Sequence, residues 1–145
     1  VIRMIERYSE SSRMKEQEQI SLQHFDTIMK NAEPLFDMGK ALPRFGDDLV
    51  TFFEILGEFL DHLKNSVAEM ENALLSNNVK RLEFISHSVK GGAGNFEAKT
   101  IVPYAAKLEE LAENESLLGS YNLIAKIRSQ IPLLEKFYEE NKDLV

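Results

Sequence analysis

The stretch from His87 to Phe96 reads H-S-V-K-G-G-A-G-N-F and places complementary chemical groups at helical spacing. A neutral imidazole is a nucleophile, and histidine, with an unperturbed pKa of about 6.5, is mostly neutral at pH 7. Lys90 follows three residues after His87, so its ammonium can neutralise an anion carried on the ring. Gly91 leaves the next turn without a side chain, so a phosphoryl donor has a path to the imidazole. These residues predict a nucleophile beside a cation on a surface that another protein can approach.

The glycines of this segment need an explanation other than helix stability. Gly91, Gly92 and Gly94 occupy three of four consecutive positions, and each costs about 1 kcal/mol relative to alanine inside a helix. Gly92 leans toward the apolar side of the helical wheel, where it permits close packing against a neighbouring helix. The side that carries His87 also carries the residues that we predict for partner docking and access, which are Lys80, Phe84, Gly91 and Gly94.

The predicted helix over residues 79–95 has an apolar stripe opposite His87. At about 100° per residue, that stripe is formed by Val79, Leu82, Ile85, Val89, Ala93 and Phe96. His87 is therefore expected to face water rather than the core, with Lys90 at the flank.

The rest of the chain predicts helices in the same way. Glycine and proline are sparse, at 7 and 4, and apolar residues recur at three- and four-residue spacing. Besides 79–95, we predict a short helical piece over 36–45 and long helices over about 47–75, from near 99 to 113, and over 117–140. The expected fold is all-α, an antiparallel up-and-down four-helix bundle with additional N-terminal helical segments.

The first 31 residues differ from the remainder because their apolar positions are scattered among many charges. Those positions are Ile2, Ile5, Met14, Ile20 and Phe25. We predict that residues 1–31 form a linker or cap helix and that residues 32–145 form the bundle domain.

Composition excludes several classes of function. The chain of 145 residues has a net charge of −7, which argues against nucleic acid as the main ligand, and no cysteine to form a disulfide or thiolate site. No apolar run is long enough to cross a membrane. His24, His62 and His87 have no paired spacing typical of metal ligands, so we expect no metal site. Two acidic groups, Glu109-Glu110 and Glu113 with Glu115, are interpreted as a solvated face.

The segment from His87 through Phe96 resembles the signature of the histidine-containing phosphotransfer (HPt) family, H-x-[L/V/F]-K-G-[S/A]-[S/A]-x-x-[L/F]-G. The region from Phe36 to Leu63 is also similar to these domains, and the resemblance covers roughly residues 33–140. Glu97 departs from the pattern, because the family often has glycine there, and this bears on how the helix ends.

The resemblance implies a carrier in a two-component phosphorelay. His87 would take a phosphoryl group on its outer ring nitrogen from a receiver-domain aspartate and pass it to another receiver. Lys90 would stabilise that group and Gly91 would keep the approach open. The receiver would supply the magnesium ion, so no cofactor is expected on this chain. A cytoplasmic location is implied, either as a free protein or as part of a larger hybrid sensor kinase.

Three alternatives share the helical bundle. A histidine kinase core places an acidic residue directly after histidine and needs an ATP-binding domain, whereas here Ser88 follows and no nucleotide-binding glycine loop appears. A phosphorylation domain of a chemotaxis-type kinase has the same fold and chemistry, although the K-G-G-A-G stretch matches relay members better. A partner-binding bundle without phosphotransfer is the third alternative, and it would not depend on His87.

Overall fold

Four long helices follow one another between residues 49 and 141 of the computed structural model, which describes residues 22–145. They are α3 (Leu49–Leu75), α4 (Val79–Asn95), α5 (Ile101–Glu113) and α6 (Ser120–Asn141). Before them lie α1, over residues 22–32, α2 (Met38–Ala41) and a 3₁₀ turn (Leu42–Phe45). A second 3₁₀ turn, Lys142–Leu144, follows α6. The predicted all-α fold is confirmed.

The four long helices form an antiparallel bundle because only short turns connect them. α4 packs against α3 and α5, and α6 packs against the same two helices, so the four close into a ring. Within residues 22–145, no helix is long and apolar enough to cross a membrane.

A cluster of phenylalanine rings fills one end of the core. Phe96, at the end of α4, lies 5.0 Å from Phe45, 5.2 Å from Phe59 and 5.3 Å from Phe52, measured between ring centroids. Burying one such ring contributes about 1.5–3 kcal/mol, and aromatic pairs add more when the rings stack with an offset or meet edge to face. The cluster therefore fixes the C-terminal end of α4 against α3 and the turn that precedes it.

Polar side chains cap the N-termini of two of the long helices. An Asp48 side-chain oxygen accepts a hydrogen bond from the Val50 backbone N–H at 3.0 Å, and Asn78 accepts one from the Arg81 N–H at 3.1 Å. Such N-caps contribute about 1 kcal/mol each, because they satisfy an N–H that has no partner within the helix. Pro103 is the third residue of α5, within the first turn, where its missing N–H removes no hydrogen bond of the helix.

α1 packs on the bundle. Ile28 and Ala32 are completely buried, and Asn31 donates a side-chain hydrogen bond to the Asn141 amide oxygen at 3.1 Å. The His24 ring nitrogen Nδ1 lies 3.1 Å from the Leu144 carbonyl oxygen. Of the apolar positions in the predicted N-terminal segment, Phe25 packs on the core and the other four lie outside the described residues. The division into 1–31 and 32–145 stays a prediction.

α4 ends at a residue with a left-handed backbone. Glu97 has φ +50°, and its N–H bonds to the Gly94 carbonyl at 3.1 Å while the Ala98 N–H bonds to the Ala93 carbonyl at 3.1 Å. Glycine is usual at such a position because a side chain is strained there. Arg44 stabilises the glutamate, since its guanidinium lies 2.6 Å from the Glu97 carboxylate and donates to the Gly94 carbonyl.

Glu97→Gly tests this balance of strain against ion pairing. In an Arg44→Ala background we expect the substitution to stabilise the fold by about 1 kcal/mol, because it relieves the left-handed strain. In the wild-type background the gain is smaller by the value of the lost ion pair, about 0.2–1 kcal/mol. Urea unfolding of the two single variants and the double variant measures both terms. A destabilising Glu97→Gly in the Arg44→Ala background would contradict the strain assignment.

Candidate functional site

His87 lies in the middle of α4 with its side chain in solvent. The neighbouring Ser86 and Val89 are completely buried, whereas 70% of the His87 side chain is exposed. The orientation predicted from the helical wheel is therefore confirmed, and the imidazole is accessible to another protein.

The Glu109 carboxylate on the adjacent helix α5 contacts two groups of α4, the His87 imidazole and the Lys90 ammonium. The two Glu109 oxygens lie 3.1 and 3.2 Å from Nδ1 of His87. The same carboxylate lies 3.1 Å from the Lys90 ammonium at its nearer oxygen. Only 13% of the Glu109 side chain is exposed. The interpretation of Glu109 as part of a solvated face is wrong: it lies in the groove between α4 and α5, and it joins His87 to Lys90.

The sequence contained a signal for Glu109 that the predicted α5 stripe obscured. In the sequence, the apolar residues Val102, Ala105, Leu108 and Leu111 predict a stripe that advances by three residues and drifts around the helix. The buried residues of α5 are Ile101, Ala105, Leu108 and Ala112, which follow the 3.6-residue period. Glu109 is four residues after Ala105 and three before Ala112, so it borders the buried stripe rather than the solvated face.

Opposing effects act on the acidity of Glu109. Burial favours the neutral acid, but hydrogen bonds from Lys90 and His87 more than offset it, so the pKa of Glu109 is lower than usual. The group is therefore an ionised carboxylate at pH 7.

An ionised carboxylate can only accept hydrogen bonds, so Nδ1 of His87 must carry the proton in this contact. The lone pair of the neutral ring then lies on Nε2, the outer nitrogen. This tautomer is the one that a nucleophile needs, because Nε2 is free to attack while Nδ1 is held by Glu109.

The three glycines of α4 divide into two groups. A Cβ added to Gly91 or Gly94 would meet no heavy atom within 4 Å, so both positions border open space. A Cβ on Gly92 would lie 3.0 Å from Cε1 of Phe59, so this glycine allows close contact between α4 and α3. The packing role predicted for Gly92 is confirmed.

The remaining predicted docking residues lie N-terminal to His87 on α4. Phe84 is 66% exposed, and the Arg81 guanidinium lies 5.7 Å from the centre of its ring. Arg81 in turn contacts the Glu69 carboxylate of α3 at 2.5 Å. Lys80 is also exposed. The structure thus places an apolar ring, basic groups and the imidazole along one side of one helix.

The part of the chain that the structure describes contains no cluster of three or more His, Asp or Glu side chains suited to holding a metal ion. His24 and His62 lie on other helices, where His24 contacts Leu144 and the His62 ring lies 3.4 Å from the Ser66 hydroxyl. They are separate from the His87 site.

A four-helix bundle that presents one exposed, carboxylate-bound histidine beside a lysine is typical of proteins that carry a phosphoryl group on histidine. Comparison with known proteins supports this class. The family model of the Hpt domain matches residues 54–141, which include the whole site. Among solved structures, histidine-containing phosphotransfer protein B from Pseudomonas aeruginosa PAO1 has the same fold, with a TM-score of 0.66 and 21% identity. The similarity covers 75% of this chain and 94% of that one. No curated protein matches the chain.

The chain belongs to the Hpt domain family and is a histidine phosphotransfer protein of a phosphorelay. Domains of this family interact with receiver domains of response regulators.

Alanine substitutions at the adjacent glycines Gly91 and Gly92 should differ in their effect on stability. Gly91→Ala should stabilise the fold by about 1 kcal/mol, because alanine is the better helix former and the new methyl group meets no atom. Gly92→Ala should leave the fold about 1–3 kcal/mol less stable than Gly91→Ala, because its methyl group crowds Phe59. Urea unfolding measures both free energies. Equal effects at the two positions would contradict the packing described for Gly92.

Proposed function

We propose that His87 is the phosphorylated residue and that it relays the phosphoryl group between aspartates of two receiver domains. The observation that carries the proposal is the contact of exposed His87 with ionised Glu109 through Nδ1, which leaves the lone pair on Nε2. Membership of the Hpt domain family supports the reaction class, and the exposure of the ring supports access by a partner.

In the forward step, Nε2 of His87 attacks the phosphorus of the donor's aspartyl phosphate. A P–N bond forms, the P–O bond to the aspartate breaks, and its electron pair leaves with the carboxylate. The second step is the reverse reaction with the aspartate of the accepting receiver. Catalysis of phosphoryl transfer consists mostly of positioning and charge stabilisation, so a rigid bundle is sufficient for the carrier's part. We assign the magnesium ion to the receiver domain.

Lys90 is proposed to stabilise the transferred phosphoryl group. Its ammonium is 3.1 Å from the Glu109 carboxylate and lies one turn after His87. About a third of its side chain (36%) is exposed, so it can turn its donors toward phosphoryl oxygens beside the ring. A hydrogen bond that involves charged partners contributes about 1.5–3 kcal/mol, which is sufficient to affect the transfer rate.

Lys80, Phe84, Gly91 and Gly94 are proposed to receive the partner domain. The open space over Gly91 and Gly94 supports close approach of a receiver's loops, and the exposed Phe84 ring supports an apolar contact. We also propose that the chain has no kinase activity of its own. Receiver domains as partners imply a cytoplasmic location, either as a free protein or as the cytoplasmic part of a larger sensor kinase.

Substituting each histidine tests the assignment of His87. A phosphorylated receiver domain should transfer acid-labile phosphate to the wild-type chain and to His24→Gln and His62→Gln, and transfer none to His87→Gln. Radiolabelled phosphate on the chain, separated by gel after acid and base treatment, measures the transfer. Label retained on His87→Gln would overturn the assignment and favour another site.

Three controls distinguish the alternatives. Incubation of the chain alone with ATP and magnesium should give no label, and label would contradict the proposal that it has no kinase activity. If the wild-type chain and His87→Gln bind receiver domains equally well, and the wild-type chain takes no phosphate from them, the partner-binding bundle would be supported. Phosphate accepted from an isolated kinase domain but from no receiver would support the chemotaxis-type alternative.

Lys90→Ala should slow phosphoryl transfer from the receiver by about 10- to 100-fold, the range that corresponds to a lost charge-assisted hydrogen bond. Lys107→Ala is the matched control, because Lys107 is an exposed lysine on α5 that contacts Glu110 rather than the site. Rapid-quench measurement of label on the chain gives both rates. Equal rates for Lys90→Ala and wild type would remove Lys90 from the reaction.

A further inference from the structure

Release of the phosphoryl group from His87 requires a good leaving group on the ring side, which acceptance of the phosphoryl group does not. When phosphorylated His87 passes its phosphoryl group on, the P–N bond breaks and the electron pair returns to Nε2. If Nδ1 still carries its proton, the ring leaves as neutral imidazole. If that proton has been lost, the ring must leave as imidazolate, a far stronger base and a much poorer leaving group. The proton on Nδ1 therefore controls release.

We propose that Glu109 holds the Nδ1 proton of phosphorylated His87 and thereby keeps the ring ready to release its phosphoryl group. This inference rests on the proposed function of His87 and extends it from acceptance to release. Glu109 acts through the ring and does not touch the phosphoryl group, so it is a positioning residue in both steps.

The geometry of the contact supports the inference. Both carboxylate oxygens lie within 3.2 Å of Nδ1, so either can accept the proton's hydrogen bond. The carboxylate is largely buried, with 13% of its side chain exposed, whereas the ring is 70% exposed. A hydrogen bond to the protonated form of a group favours that form, and weaker solvent screening strengthens the effect.

Lys90 makes the carboxylate available for this role. Its ammonium lies 3.1 Å from the Glu109 oxygen that is also nearest to Nδ1. The cation keeps Glu109 ionised despite its burial, and the pKa of Glu109 is lower than usual for that reason among others. The carboxylate can therefore accept from a cationic ring without taking the proton itself.

The other charged groups described on the packed helices make no hydrogen bond or ion pair with the His87 ring. On α4 they are Lys80, Arg81 and Glu83, on α5 they are Lys107, which pairs with Glu110, and Glu113, and on α3 Glu69 pairs with Arg81. Among the described side chains, only Glu109 makes a hydrogen bond with the His87 ring.

The release step then balances as follows. An oxygen of the accepting aspartate attacks phosphorus, a P–O bond forms and the P–N bond breaks. The electron pair of the P–N bond becomes the lone pair on Nε2. The Nδ1 proton stays on the ring throughout, hydrogen-bonded to Glu109, and the starting tautomer is restored.

Glu109→Gln tests the proposal, because glutamine has nearly the same shape and can accept from Nδ1 but has no charge. The wild-type chain and the variant are phosphorylated on His87 with phosphoramidate, which needs no partner protein. Titration followed by ¹⁵N and ³¹P NMR then reports protonation of the phosphorylated ring. We expect the variant's ring to lose its proton about one pH unit lower, which corresponds to a tenfold lower proton affinity. Transfer to a receiver domain should be about tenfold slower than wild type at pH 8, and the two rates should converge at pH 5–6, where both rings are protonated.

Glu110→Gln is the matched control, since Glu110 is the adjacent, exposed glutamate and should titrate and transfer as wild type. Glu109→Asp should restore part of the wild-type titration because it restores the charge. Unchanged ring titration in Glu109→Gln, with His87 labelled, would overturn this inference and leave the carrier function intact. Absence of label on wild-type His87 would instead overturn the proposed function. Circular dichroism and urea unfolding confirm that the variants are folded.

Discussion

The site depends on one carboxylate that is shared between an imidazole and an ammonium. Glu109 is buried enough to have a strong effect and is charged because Lys90 lies beside it. Burial acts to raise the pKa of Glu109, and the hydrogen bonds from Lys90 and His87 lower it by more. Glu109 in turn favours the tautomer of His87 that has its proton on Nδ1. The two groups come from different helices, so the state of the ring depends on the register between α4 and α5.

The bundle fixes that register through packing on both sides of α4. Gly92 brings the helix close to Phe59 of α3, and Phe96 anchors its end in the aromatic cluster. The glycines at 91 and 94 weaken the helix, since each is a poor helix former, but they leave its outer side bare. Tertiary packing thus offsets the low intrinsic helix propensity of the segment that carries the reactive residue.

Local sequence patterns predicted most of the fold and, within the site, His87 and Lys90 but not the role of Glu109. The helix starts at Asp48 and Asn78 can be read from the sequence, because capping involves only residues two or three positions away. The exposure of His87 followed from the apolar stripe of its own helix. Glu109 was missed because it is 22 residues from His87 and its role depends on how α5 is rotated against α4. The contact of Arg44 with Gly94 and Glu97 was missed for the same reason, since no local pattern relates residues 50 positions apart.

The contact between His24 and Leu144 brings the two ends of the described chain to one pole of the bundle. This pole also contains the start of α3 and the end of α4, whereas His87 lies near the midpoint of α4. A segment that follows Val145 would therefore begin at this pole rather than over the imidazole. The points at which the described chain enters and leaves the bundle are thus both separate from the surface that carries the reactive ring.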